Sequence, residues 1–227
     1  MPEIVRVADA RELALVASQL MRAIIEDAIA QRGVARVALS GGSTPGEAYR
    51  LLAQGGLDAD RCRWFFVDER CVPPDHERSN YAAAKRDLFD ALPVAHAFPM
   101  QGEAGAAAGA HHYAELLARE VPRFDLVVAG IGNDGHTASL FPGTGAVHNP
   151  APVVAVEPGG GLEPRISLGR ATLLAARRIV ILVSGAAKRQ ALAQALTAGD
   201  EDAVPARIYL EVPQVTLVAD EAALTPR

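Results

Sequence analysis

The chain has 227 residues, half of them hydrophobic but only 5% aromatic, and a formal net charge of -5. That charge, with no run of lysines and arginines, gives no overall attraction to nucleic acid or to an anionic membrane surface. Residues 1–10 lack the basic segment and apolar core of a signal peptide, no apolar stretch is long enough to span a bilayer, and the only cysteines are Cys62 and Cys71, so reduced thiols in a cytoplasmic protein are expected.

Short Val/Ile/Leu runs alternate with Ala-rich helical segments. This is the pattern of an α/β protein, a mostly parallel Rossmann-like sheet with helices on both faces, expected here as one domain over residues 1–227. In chain order, residues 4–7 read as a strand. Residues 10–31 read as a helix, with Leu13, Val16, Leu20, Ile24 and Ile25 at helical spacing and Gly33 as its stop. A strand over 34–39 leads through Ser40-Gly41-Gly42-Ser43-Thr44-Pro45 into a helix reaching about residue 53, with Thr44 as N-cap and Pro45 in the first helical position.

Further strands are expected over 63–67, from 124, over 153–156, 166–168 and 179–183, and over 215–218. Helices are expected over 79–88, 106–121 and 186–198, the last closed by Gly199, and the prolines and glycines of 92–105 mark an irregular connection.

The most informative stretch is the strand from Phe124 that ends in Gly130-Ile131-Gly132-Asn133-Asp134-Gly135-His136. Glycines there let the backbone turn tightly and approach a ligand, and an acid and a histidine follow at once, as in an active-site loop. A near-neutral pKa suits His136 to general-base work. The other histidines show no ligand spacing, and no zinc pattern emerges. The glycine pair of residues 40–45 exposes backbone N–H groups at the positive end of a helix, with the hydroxyls of Ser43 and Thr44 beside them, so this turn is either a phosphate cradle or an ordinary capped strand-to-helix turn. It lacks the Gly-Lys-Ser/Thr ending of a P-loop and the final glycine of a nucleophile elbow. Asp68, Glu69 and Arg70 cluster just past a strand, where a parallel sheet forms its ligand crevice. Arg165 and Lys188 also stand at strand ends, where they would supply positive charge to a sugar phosphate.

Residues 130–135 also match the G-x-G-x-x-G dinucleotide pattern, with Glu157 about twenty residues on. That fingerprint needs a long helix after the loop, and the prolines and glycines at 142, 143, 145, 150 and 152 leave no room for one.

Taken together, Leu39 to Pro45, Phe66 to Arg70, Ser79-Asn80-Tyr81, Gly130 to Pro142, Arg165-Ile166-Ser167-Leu168 and Ser184 to Lys188 resemble the glucosamine-6-phosphate isomerase/6-phosphogluconolactonase family, in the family's order. Within it the chain is more similar to the lactonases. The deaminase branch carries a glutamate where Phe141 stands here, and a tyrosine where Arg70 stands. The resemblance implies a fold similar to that of glucosamine-6-phosphate deaminase. It implies hydrolysis of 6-phospho-D-glucono-1,5-lactone in the oxidative pentose phosphate pathway, by a cytoplasmic protein expected as a monomer, without metal or cofactor. On that reading His136 is the base, Asp134 orients it or a sugar hydroxyl, Arg70 and Asp68 position the lactone, and Gly41, Gly42, Ser43 and Thr44 hold the phosphate with Arg165 and Lys188. Arg170 competes with Arg165 for the last role, and Phe141 either lines the pocket or packs beneath it.

Overall fold

A computed structural model describes residues 2–92, 94, 96–210 and 212–224. Six strands form a parallel sheet: β1 (Glu3–Val7), β2 (Ala35–Leu39), β3 (Cys62–Phe66), β5 (Leu126–Gly130), β8 (Arg178–Val183) and β9 (Val215–Asp220), in the order β1-β9-β8-β5-β2-β3. A second, antiparallel sheet of three strands has the order β4 (Asp68–Arg70), β7 (Arg165–Leu168), β6 (Val153–Val156). The helices are α1 (Ala10–Arg32), α2 (Ser43–Ala53), α3 (Asn80–Ala84), α4 (Ala106–Glu120), α5 (Arg170–Leu174), α6 (Arg189–Ala195) and α7 (Glu221–Leu224).

Local chemistry explains the longest helix. Asp9 accepts from the N–H groups of Arg11 and Glu12 while Glu12 reaches back to Ala8 N, a reciprocal cap, and Gly33 closes the helix at φ 74°. The stripe Leu13, Ala17, Met21, Ile25 and Ala28 is buried against the sheet. Parallel crossovers are right-handed, so connections running toward β3 (β1 to β2, β2 to β3) lay α1 and α2 on one face, where they pack on each other. Connections running back (β3 to β5, β5 to β8, β8 to β9) lie over the other face. Strand order therefore reverses between β2 and β5, the switch point at which a doubly wound sheet opens its crevice.

Four local expectations need correction. Helix α2 starts at Ser43 with Gly42 as its cap residue, so Thr44 lies inside the helix; Gly42, at φ 111° and ψ 163°, makes the sharp turn that brings the chain in one residue early. Ser79 is the N-cap of α3 and not its first residue, accepting from Ala82 N, and the helix passes into a π turn over Lys85–Phe89. The helix expected over 186–198 is a 3-10 turn, Ala186–Lys188, followed by α6. Residues 68–70 form β4, a strand too short to show a pattern of its own, recruited by pairing with β7. The irregular segment before α4 runs along the edge of the main sheet, where Trp64 N donates to His96 O and Phe98 N donates to Trp64 O, closing the free side of β3.

Glu69 fixes the small sheet to α3. Its buried carboxylate accepts from Arg70 N (2.8 Å), Asn80 N (2.7 Å), Tyr81 N (2.9 Å) and Ser79 Oγ (2.9 Å). Burial pushes this carboxyl up, and the four donors oppose that shift. Glu69→Gln puts an amide donor among those donors and is expected to cost about 3 kcal/mol of unfolding free energy. Chemical denaturation checks this; an unchanged midpoint would show that Glu69 does not hold the junction.

Candidate active site

A cavity of about 630 Å³ opens at the carboxyl ends of β2 and β5. His136, Asp134, Arg70, Asp68, Gly41, Gly42, Ser43, Thr44 and Lys188 all line it. A second cavity, of about 690 Å³, lies at the opposite, amino ends of the strands, around Arg32, Arg177 and the buried Asp125 that pairs with both. Its lining includes neither a glycine loop nor a histidine, and the first cavity is the candidate site.

On the β2 side, the hydroxyl of buried Tyr49 accepts from Ser40 N and donates to Ser40 O, at 3.2 and 3.1 Å, holding the start of the turn. Gly41 lies so close to the Asn80 side chain that any Cβ would overlap the amide. The first N–H groups of α2 have no partner within the helix and stand at the positive end of its dipole, beside the cavity.

On the β5 side, Gly132 N donates to His136 O (2.8 Å) and Gly135 N to Gly132 O (3.0 Å), curling the loop so that one Asp134 oxygen meets both His136 N (3.1 Å) and His136 Nδ1 (2.6 Å). Burial alone would raise the Asp134 carboxyl, but the His136 charge and the two hydrogen bonds hold it below the usual carboxylate range. With Nδ1 engaged, Nε2 is the ring nitrogen left to exchange a proton. Phe141 lies 4.5 Å from the imidazole, centroid to centroid, and lines the cavity, which settles its place. The loop is pinned from below. Thr137 Oγ1 donates to Gly130 O (3.0 Å) and stands 3.2 Å from the hydroxyl of buried Tyr209, while Ala206 N donates to Gly135 O. Burial pushes the Tyr209 hydroxyl up to about 12, so it stays protonated. Ala138, at φ 48°, is the one non-glycine in the left-handed region among the described residues, and it too lines the cavity.

Charged groups come from three further elements. Asp68 is held by Ser139 Oγ (2.5 Å) and Asn80 Nδ2 (3.0 Å), tying the His136 loop to α3. Lys188 rides on a turn anchored by buried Asp220, which accepts from Ser184 Oγ and Gly185 N. Burial pushes the Lys188 ammonium down, and the Asp134 carboxylate partly offsets this. Arg70 donates to Arg78 O, and its Nε is buried without a partner. Arg165 is directly across the ladder from Arg70 and 3.6 Å from Glu163; burial, then the Arg70 charge, push its guanidinium down. Arg165 is not among the cavity-lining residues, in contrast to the expectation that it flanks the Ser43 turn, because β7 brings it beside Arg70. Arg170 is clamped by both oxygens of Glu201, at 2.9 Å each, and lies outside the lining as well.

Sequence reasoning missed Ser139 and Leu162. Ser139 matters only because the loop folds it onto Asp68, a contact no local pattern encodes. Between His136 and β6 the described residues form turns and one 3-10 turn, Ala146–His148, so the crossover helix of a dinucleotide fold is absent there. Among the described residues, no three His, Cys, Asp or Glu side chains are grouped to hold a metal ion. No helix among them is long and apolar enough to cross a membrane.

Residues 8–217 match the family described as glucosamine-6-phosphate isomerases/6-phosphogluconolactonase. A 6-phosphogluconolactonase of Rhizobium meliloti is 38% identical over 195 residues, covering 81% of this chain and 82% of that protein. The crystal structure of a 6-phosphogluconolactonase from Shewanella baltica superposes with a TM-score of 0.89 at 30% identity, covering 97% of this chain and 98% of that one. A monomeric glucosamine-6-phosphate deaminase, 22% identical, shares the fold with a TM-score of 0.85 over 97% of this chain and 98% of its own. The matched span takes in both glycine loops and every strand that borders the cavity, and the chain belongs to the glucosamine-6-phosphate isomerase/6-phosphogluconolactonase family.

Proposed function

We propose that this protein is a 6-phosphogluconolactonase. It hydrolyses 6-phospho-D-glucono-1,5-lactone to 6-phosphogluconate in the oxidative pentose phosphate pathway, in the cytoplasm, as a single catalytic unit that needs no metal. The observation that carries this reading is the Asp134–His136 pair at 2.6 Å, in one cavity with the N–H groups of the Ser43 turn and with Lys188.

In the proposed reaction, His136 Nε2 takes a proton from water as the oxygen attacks the lactone carbonyl. Negative charge develops on the carbonyl oxygen, and a nearby cation steadies it; Arg70, held by Arg78 O and aligned with Asp68 on β4, is the group for that end. Collapse breaks the bond from the carbonyl carbon to the ring oxygen, which leaves with the proton held on His136. Asp134 keeps the imidazole in orientation and stabilises its charged form between the two transfers. The phosphate lies on Gly41, Gly42, Ser43 and Thr44 with Lys188 as counter-charge, and Arg165 adds positive field through Arg70. The phenyl ring of Phe141 against His136 argues against the deaminase reading, in which a carboxylate shares the proton traffic.

The direct test makes the lactone in situ with glucose-6-phosphate dehydrogenase and follows its loss with and without the protein. Equal rates would remove the assignment, as would ammonia release from glucosamine 6-phosphate as the only activity. His136→Ala is expected to lower kcat by about 10²- to 10⁴-fold while competitive inhibition by inorganic phosphate stays unchanged, because the substitution touches only the reacting end. Asp134→Asn lowers kcat as well, and it carries a pH signature. The folded carboxyl lies below its ordinary value, so its stabilising effect is present above that value and is lost as pH falls through the folded one. The thermal stability of wild type should exceed that of Asp134→Asn near neutral pH, and the gap should close in strong acid.

A further inference from the structure

Leu162 is half exposed, and only Leu15 on α1 matches it among the large hydrophobic side chains described. Unlike Leu15, it lines the wall of the cavity that contains His136, where Ile131, Ala138, Phe141 and Leu182 are buried deeper in the lining. The residues before it are Gly159, Gly160 and Gly161, with φ angles of 75°, 62° and 78°, and an added Cβ at any of them would meet nothing within 4 Å. No close packing requires glycine there; the three left-handed φ angles do, so the run supplies a backbone conformation and not space. The residues after it are fixed. Glu163 is ion-paired with Arg78 and Arg165, Pro164 O accepts from Cys71 N at 2.9 Å, and β7 begins at Arg165. Leu162 is thus an apolar side chain at the mouth of the site, with a glycine turn on one side, closed by Leu162 N donating to Gly159 O at 3.1 Å, and an anchor on the other.

A pyranose-type lactone has polar edges and a face made of C–H groups. Phosphate contacts, hydroxyl contacts and the catalytic pair can satisfy the edges, yet none of them covers that face. We infer that Leu162 is a substrate-contacting residue that closes over the carbon face of a phosphorylated sugar lactone and so distinguishes a sugar phosphate from phosphate alone. This rests on the reading of the site as a lactonase. Closure removes the exposed half of the leucine from water together with the C–H face beneath it.

The test compares two ligands on the full chain: 6-phosphogluconate, which has a carbon chain, and inorganic phosphate, which has none. Leu162→Ala is expected to raise KM for the lactone and to weaken 6-phosphogluconate about fivefold, the effect of losing roughly half a leucine's burial, with the inhibition constant for phosphate unchanged. Leu162→Met, of similar volume, should bind nearly as the wild type does. Since Leu162 is exposed, folding should survive, and circular dichroism checks that it does. Unchanged constants for both ligands in Leu162→Ala would overturn the inference, and so would equal weakening of both, which would mark a general collapse of the site. Lack of lactone hydrolysis by the wild type would sink the functional reading itself, a result seen before any variant is made.

Discussion

The imidazole of His136 and the carboxylate of Asp134 occupy space that a side chain at position 132 would fill. An added Cβ at Gly132 would overlap both groups, so their contact exists only because that residue is glycine. The loop then has one compact solution, with Gly132 N on His136 O and Asp134 turned back onto the ring. Thr137, Tyr209 and Ala206 hold that solution from the interior, and the left-handed Ala138 shows that the turn is tight enough to carry a backbone conformation an alanine disfavours. Position 132 is therefore constrained by steric exclusion, and the orientation of the proposed base follows from it.

A second constraint comes from topology. The Ser43 turn and the His136 loop are far apart in sequence, but β2 and β5 are neighbours and parallel, so both loops emerge at the same end of the sheet where the strand order reverses. The small antiparallel sheet then closes the third side. Its alternation directs Glu69 to the start of α3 while Asp68 and Arg70 line the cavity. A buried carboxylate surrounded by donors is an expensive arrangement, and here it positions three consecutive residues, of which two belong to the site.

Both glycine loops, the long α1 and nearly every strand were legible in the sequence, because each is written in a local code: apolar runs, helical spacing, and glycines at strand ends. Short elements were not. β4 has three residues and exists through its pairing with β7, and α5 and α7 have five and four. The early start of α2 depends on a glycine dihedral that the sequence permits without requiring. For the site, His136, Asp134 and Lys188 were visible because they follow strand ends directly. Arg165 was visible too, but its neighbours were not: only the register of β4 on β7 sets it opposite Arg70. Leu162 gave no chemical signal, since a leucine between glycines and a glutamate reads as loop.

The pairing of Arg70 with Arg165 bears on the order of events in the proposed reaction. Like charges directly across an antiparallel ladder repel; burial first, and the Arg70 charge second, push the Arg165 guanidinium down. Asp68 and Glu163 offset only part of this: Asp68 is already engaged by Ser139 and Asn80, and Glu163 is shared with Arg78. Both arginines also keep a buried Nε without a partner. An anion reaching this corner would meet two positive charges and offset their mutual repulsion. In lactone hydrolysis the charge that arrives at the reacting end is the oxyanion formed in the transition state. On the proposed reading, two guanidinium groups beside that position would favour the transition state over the neutral carbonyl that precedes it.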